Sequence, residues 1–99
     1  MKRPLLLRIR AEEELTTAAL WYETQRPGLG REFLEEADAV LRQIRLFPEG
    51  FPLRHRHFHR ALLRRFPDGI FYANEGDVIV VLAVIHLAQD PAAVPRRLD

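Results

Sequence analysis

Ninety-nine residues, 47% of them hydrophobic and 29% charged, suffice for one domain spanning 1–99 and leave no room for a second. With no cysteine, disulfides and thiolate metal sites are excluded and a reducing cytoplasm is the expected setting. The formal net charge of +1 conceals an uneven distribution: residues 12–38 hold eight acids against Arg26 and Arg31, a balance of −6, and the remainder carries +7.

The first ten residues contain Lys2 and Arg3 but only three consecutive leucines, too short a run for a signal-peptide core. Leu5, Leu7 and Ile9 alternate with Leu6, Arg8 and Arg10, which predicts a strand with one apolar face. Glu12, Glu13 and Glu14 then open a helix, their carboxylates favourably placed against its dipole. Leu15, Ala18, Ala19 and Tyr22 form its apolar stripe, with Trp21 beside it at the helix–sheet boundary.

The run from Gln25 to Gly30, with one proline and two glycines, breaks this helix. A second helix follows through Phe33, Ala37, Val40, Leu41 and Ile44, with acids early and Arg42 and Arg45 late. So short a link predicts an antiparallel helical hairpin covering one face of a sheet. Phe47 to Pro52 is a turn-rich connector, and Phe58–Arg65 and Ile70–Ala73 read as the next two strands.

Asn74 to Asp77 makes a hairpin turn into the last strand. From Val78 to Leu87 every residue but His86 is apolar at odd and even positions alike. That pattern marks a strand buried on both faces in the middle of a sheet, and it falls well short of the ~20 residues of a membrane-spanning helix. Pro91 and Pro95 argue against a regular helix in the tail. The order is β-α-α-β-β-β, an α+β fold with a small, mostly antiparallel four-stranded sheet and a helical hairpin on one face.

Three segments carry a resemblance. Leu15–Tyr22 with Gly28-Leu-Gly30 and Phe33, then Arg60–Tyr72, then Val80–Pro91 with His86 and Asp90-Pro91, together resemble RelE/ParE-type toxins over nearly the whole chain. The resemblance implies a growth-inhibiting toxin of a type II toxin–antitoxin module, held inactive by a small cognate antitoxin. It further implies a target that is either DNA gyrase, in the ParE-like branch, or messenger RNA at the ribosome, in the RelE-like branch. No cofactor or metal is implied.

RNA cleavage without a metal needs a base for the 2′-hydroxyl, cations beside the phosphate and an acid for the leaving oxygen. The stretch from Leu53 to Arg65 holds five arginines and three histidines without an acid, and His86 is the only polar residue from Val78 to Leu87. Arg60, Arg64 and His86 are therefore the candidate catalytic residues, and Arg54, Arg56, His59 and Arg65 the candidates for binding the target or its phosphates. Alternation puts Arg60 and Arg64 on one face of their strand and His59 and Arg65 on the other. His55, His57 and His59 would share a face if extended, a geometry that suits zinc. No carboxylate stands between Glu49 and Asp68, so a solvated basic loop or a phosphate-facing patch is expected instead. Gln89 stands where RNA-cutting relatives usually carry a basic residue past the last strand, and no Tyr or Trp occurs in the tail, which places gyrase or another target ahead of the ribosome and keeps open an inactive, binding-only relative.

Overall fold

The computed structural model describes residues 3–88, 90 and 92–99. In chain order these form β1 (Leu5–Leu7), α1 (Ile9–Gln25), α2 (Leu29–Leu46), β2 (Leu53–His55), β3 (Phe58–Leu62), β4 (Asp68–Glu75), β5 (Val78–His86) and α3 (Ala93–Leu98). The sheet runs β1-β5-β4-β3-β2, with β1 parallel to β5 and every other pair antiparallel.

The two long helices make the expected hairpin, and the sequence supplies its hinge. Gly28 takes φ 90° immediately before α2, a left-handed conformation that a residue without Cβ adopts freely. No residue at the helix start offers a capping side chain. Instead the Glu23 carboxylate, near the end of α1, accepts the N–H of Gly28 at 2.9 Å and of Gly30 at 3.0 Å. One acid thus satisfies two otherwise unpaired donors of α2 and locks the helices together.

Above the hairpin face lies the main core, with Phe33, Ile44, Ile70, Tyr72, Ile79 and Val81 fully buried. A second core of Phe58, Phe71, Ala73, Ala83 and Ile85 sits on the opposite face under α3. The all-apolar pattern of β5 follows from a bulge. Phe71 pairs with Ala83 but Tyr72 pairs with Val81, so Leu82 has no partner and the alternation flips there. Ile79 and Val81 face the hairpin below the bulge; above it Val84 does so, while Ala83 and Ile85 turn toward α3.

The structure corrects several sequence expectations. A fifth strand, β2, forms just after the connector and pairs with β3 at the sheet edge. The strand expected over 58–65 stops at Leu62, so Arg64 and Arg65 lie in a loop and not in strand alternation. There the Glu36 carboxylate accepts the backbone N–H groups of both residues, giving the loop partners the sheet does not. The tail forms a helix despite Pro95, because Pro95 stands in the first turn, where its missing N–H would have had no partner. Finally, β5 is central for only half its length: β1 pairs with Ile79, Val80 and Val81 alone.

Candidate functional site

The sheet keeps the candidate catalytic residues apart. Arg60 pairs opposite Phe71 and so lies on the α3 face, its Nε buried with no hydrogen-bond partner. His86 pairs opposite Asp68 on the α1 face. Arg64 stands on the β3–β4 loop beside α2. Arg65 is committed to that helix: its guanidinium meets Glu36 and Glu32, each at 3.1 Å, and lies 5.4 Å from the Phe66 ring centroid. Burial opposes the charge on Glu36, but hydrogen bonds from the Arg65 backbone and side chain and the Arg64 N–H outweigh it and hold that carboxyl below its ordinary range.

The three histidines of the basic stretch do not line one face, because the chain reverses between β2 and β3. Arg56 occupies that turn at φ 53° and its Nε meets Asp99 at 3.0 Å, while His55 Nε2 meets the same carboxylate at 2.5 Å. Arg54 is exposed on β2. His59 is buried in the hairpin-side core, its Nδ1 2.7 Å from the Phe51 carbonyl and its ring stacked 5.0 Å from that of Tyr72. The Tyr72 hydroxyl donates to the Pro48 carbonyl at 2.7 Å, and burial pushes its pKa up to about 12. His59 and Tyr72 are thereby part of the core. Among the described residues no three metal-ligating side chains gather. Gln89 lies outside the described residues.

What does gather is a different set. A cleft of about 480 Å³ opens between α1 and the end of β5, lined among others by Arg10, Glu13, Trp21, Tyr22, Asp68 and His86. Asp68 opens β4 and is only 2% exposed. The Tyr22 hydroxyl, held among the Phe33 and Phe66 rings, donates to Asp68 Oδ1 at 2.5 Å. Burial raises the Asp68 pKa, against the smaller opposing effects of the Tyr22 hydrogen bond and the nearby His86. Burial and the adjacent carboxylate likewise push the Tyr22 hydroxyl well above its ordinary value. His86 lies with its ring 6.3 Å from that of Trp21 and its buried Nδ1 without a partner. Trp21 is 47% exposed, so it borders the cleft and is not sealed at the helix–sheet boundary.

This arrangement sets a testable pH dependence. Because the fold raises the Asp68 pKa, the protonated form is favoured; its stabilising contribution is present below the ordinary aspartate pKa and is lost as pH rises through the raised value. Asp68→Asn keeps an oxygen for Tyr22 and removes the charge. It is expected to stabilise the protein by about 1 kcal/mol at neutral pH, with the gain vanishing in acid. Thermal melting of both proteins across the acid-to-neutral range checks it; a variant less stable at neutral pH, with the deficit vanishing in acid, would show that the charge itself is needed for the fold.

Only a folded chain could reveal this set. Tyr22 reads as one more apolar-stripe residue and Asp68 as the turn residue of Pro67-Asp68-Gly69. The one available signal was an acid immediately ahead of an all-apolar strand, where a charged side chain is hard to keep in water.

The elements and their order define a small α+β protein with a mixed sheet, and comparison with known proteins shows what it is similar to. No family model matches the chain. The toxin ParE2 of Mycobacterium tuberculosis, from strains CDC 1551 and H37Rv alike, is 28% identical over 100 residues, covering 100% of this chain and 95% of that one. A solved chain of the chromosomal ParDE system from P. aeruginosa superposes with a TM-score of 0.62 at 16% identity, covering 84% of this chain and 94% of that one. Over its whole length the chain is thus similar to a ParE toxin, and its fold to a chain of a ParDE toxin–antitoxin system. Among the described residues no helix is long and apolar enough to cross a membrane.

Proposed function

We propose that this chain is a toxin that inhibits growth in the ParE manner, by acting on DNA gyrase, and that a small cognate antitoxin neutralises it. The observation that supports this most is the separation of Arg60 from His86 by the thickness of the sheet. A ribonuclease needs its base and its phosphate-binding cation within reach of one scissile bond. The remaining candidates, Arg64 and Arg65, stand at the α2 side of the molecule, with Arg65 occupied by Glu32 and Glu36. The name of the mycobacterial relative agrees with this reading.

A second reading, a ribosome-dependent endoribonuclease, is favoured by one feature. His86 presents an unpartnered buried nitrogen in an open cleft beside Asp68, which suits a proton acceptor. Expression in a bacterial host without the antitoxin separates the two. Under the gyrase reading DNA synthesis falls first and cells become filamentous; early loss of protein synthesis with shortened transcripts would instead establish the ribonuclease. Undisturbed growth with soluble protein would indicate a binding-only relative. Arg60→Ala is expected to abolish toxicity while cooperative melting persists, and full toxicity of the folded variant would remove the α3 face of β3 from the target contact.

A further inference from the structure

Arg60 is the one arginine that the fold takes partly out of water without giving its guanidinium a partner among the described residues. The side chains of Arg8, Arg10, Arg54 and Arg64 also lack a partner there, but all four residues are exposed and solvated. Arg60 is half-buried in β3, and its Nε is sealed from solvent with no hydrogen-bond partner. Arg65, five residues on, shows the contrast, with Glu32 and Glu36 at its guanidinium. Removing a charged donor from water unpaired costs free energy, and each such orphan calls for a cause. Among the described residues nothing offsets that cost.

The neighbouring strand makes room for this side chain. Arg60 pairs with Phe71 and Leu62 with Gly69, so both lie on the α3 face of the sheet. A Cβ built on Gly69 would stand 3.4 Å from Arg60 Cγ, 3.5 Å from Arg60 Cδ and 3.0 Å from Leu87 Cδ1. Arg60 therefore leans along its own strand, from Phe71 toward Gly69, and lies in the space that a Cβ would fill. Glycine inside a strand weakens it and marks a close approach. The approach here is made by an arginine stem, and Gly69 lets it press against the sheet. Leu62, the next residue of β3 on that face, is 51% exposed and forms an apolar shoulder beside it.

We propose that Arg60 is the receptor for an acidic side chain of the protein target, and that Gly69 is the residue that positions it. This rests on the gyrase reading above and assigns the chemistry of one contact. With Nε sealed, the two Nη groups are left to pair a carboxylate, and an apolar shoulder that excludes water strengthens such a pair. A nucleic-acid backbone asks for several free cations on one face. The arginines that α3 carries or holds, Arg96, Arg97 and Arg56, are already paired with Asp90, Glu14 and Asp99. A single carboxylate therefore fits this face better than a run of phosphates.

The test is the affinity of the full chain for purified gyrase, measured without DNA and then with it, for the parent, Arg60→Ala, Arg60→Lys, Gly69→Ala and the Arg60→Ala/Gly69→Ala double variant. Each is first checked for cooperative melting. Arg60→Ala is expected to bind at least about thirtyfold more weakly, the loss of a central charged contact. Arg60→Lys is expected to lose about tenfold, because a point charge replaces the planar fork. Gly69→Ala is expected to lose about tenfold with Arg60 intact, and nothing further once Arg60 is alanine. That non-additivity separates positioning from a general loosening of β4. Parent-like binding by Gly69→Ala, or an undiminished loss in the Arg60→Ala background, overturns the positioning role. Should Gly69→Ala not fold, the double variant is expected to fold, because the stem that fills the Cβ space is gone; its failure as well overturns that role. Parent-like binding by folded Arg60→Ala overturns the receptor and leaves the gyrase reading standing. Binding that needs DNA, with a salt dependence that Arg60→Ala flattens, puts a phosphate in place of the carboxylate and overturns the receptor too. A parent chain that binds gyrase under neither condition overturns the gyrase reading together with this contact.

Discussion

Val81→Asp is expected to abolish soluble expression. Val81 is fully buried on the hairpin side of β5, opposite Tyr72 and directly before the bulge. A carboxylate there has no cation within the core, and leaving it unpaired costs several kcal/mol whether it ionises or shifts its pKa to stay neutral. Domains of this size have only about 5–15 kcal/mol of stability in all. The adjacent Leu82, half-buried and free of a register partner, makes a useful control: Leu82→Met should stay soluble and melt cooperatively. The check is the soluble fraction on expression followed by thermal melting. Soluble, cooperatively melting Val81→Asp would mean that β5 does not form the centre of the core.

The second large effect is expected at Gly30. A Cβ built there would lie 2.5 Å from the backbone carbonyl oxygen of Ala19 and 3.1 Å from Glu23 Oε1. The first contact is with helix backbone, which cannot swing away as a side chain would. The second belongs to the carboxylate that caps α2. Alanine in a helix would ordinarily gain about 1 kcal/mol over glycine. Forcing the two helices apart and loosening the cap outweighs that gain, so Gly30→Ala is expected to lose about 2 kcal/mol net. The melting temperature should fall by roughly 10 °C on that account. A variant at or above the parent's melting temperature would show that the α1–α2 crossing has slack the close approach at Gly30 denies.

These two positions mark what the sequence can and cannot disclose. Val78–His86 was legible as a doubly buried strand because β-branched residues occupy both parities, yet nothing in the letters announces the bulge at Leu82 that lets both parities face a core. The helical hairpin was legible from its period and from Pro27-Gly28, whereas the role of Glu23 as a cap for the next helix required the fold. The basic run from Leu53 to Arg65 read as a solvated loop or phosphate-facing patch leading into a strand that continued to Arg65. The chain divides it among an edge strand, a turn, a core histidine and a loop tied to α2, because long-range partners outrank local alternation. Arg60 and His86 are near in no sense that matters for chemistry, and strand parity could not say so without knowing which elements cover which face. Tyr22 and Asp68 meet only after the sheet and hairpin have docked, so no local pattern connects them.

The parallel pairing of β1 with β5 also dictates an order of events. Every other strand of the sheet pairs with its neighbour in sequence, and α1 and α2 meet across a link of only Arg26, Pro27 and Gly28, so those contacts need little loop closure. Leu5, by contrast, finds its place opposite Ile79. During synthesis the helices and β1 emerge with no sheet to rest on, and the β3–β4 hairpin follows; the apolar stripe of α1 waits for β5. The hydrogen bond from the Val84 N–H to Glu14 and the Tyr22–Asp68 contact both wait for the sheet to dock against α1. A ribosome still making this protein therefore carries no finished sheet, and whatever the cleft beside β5 contacts can meet it only once the fold has closed.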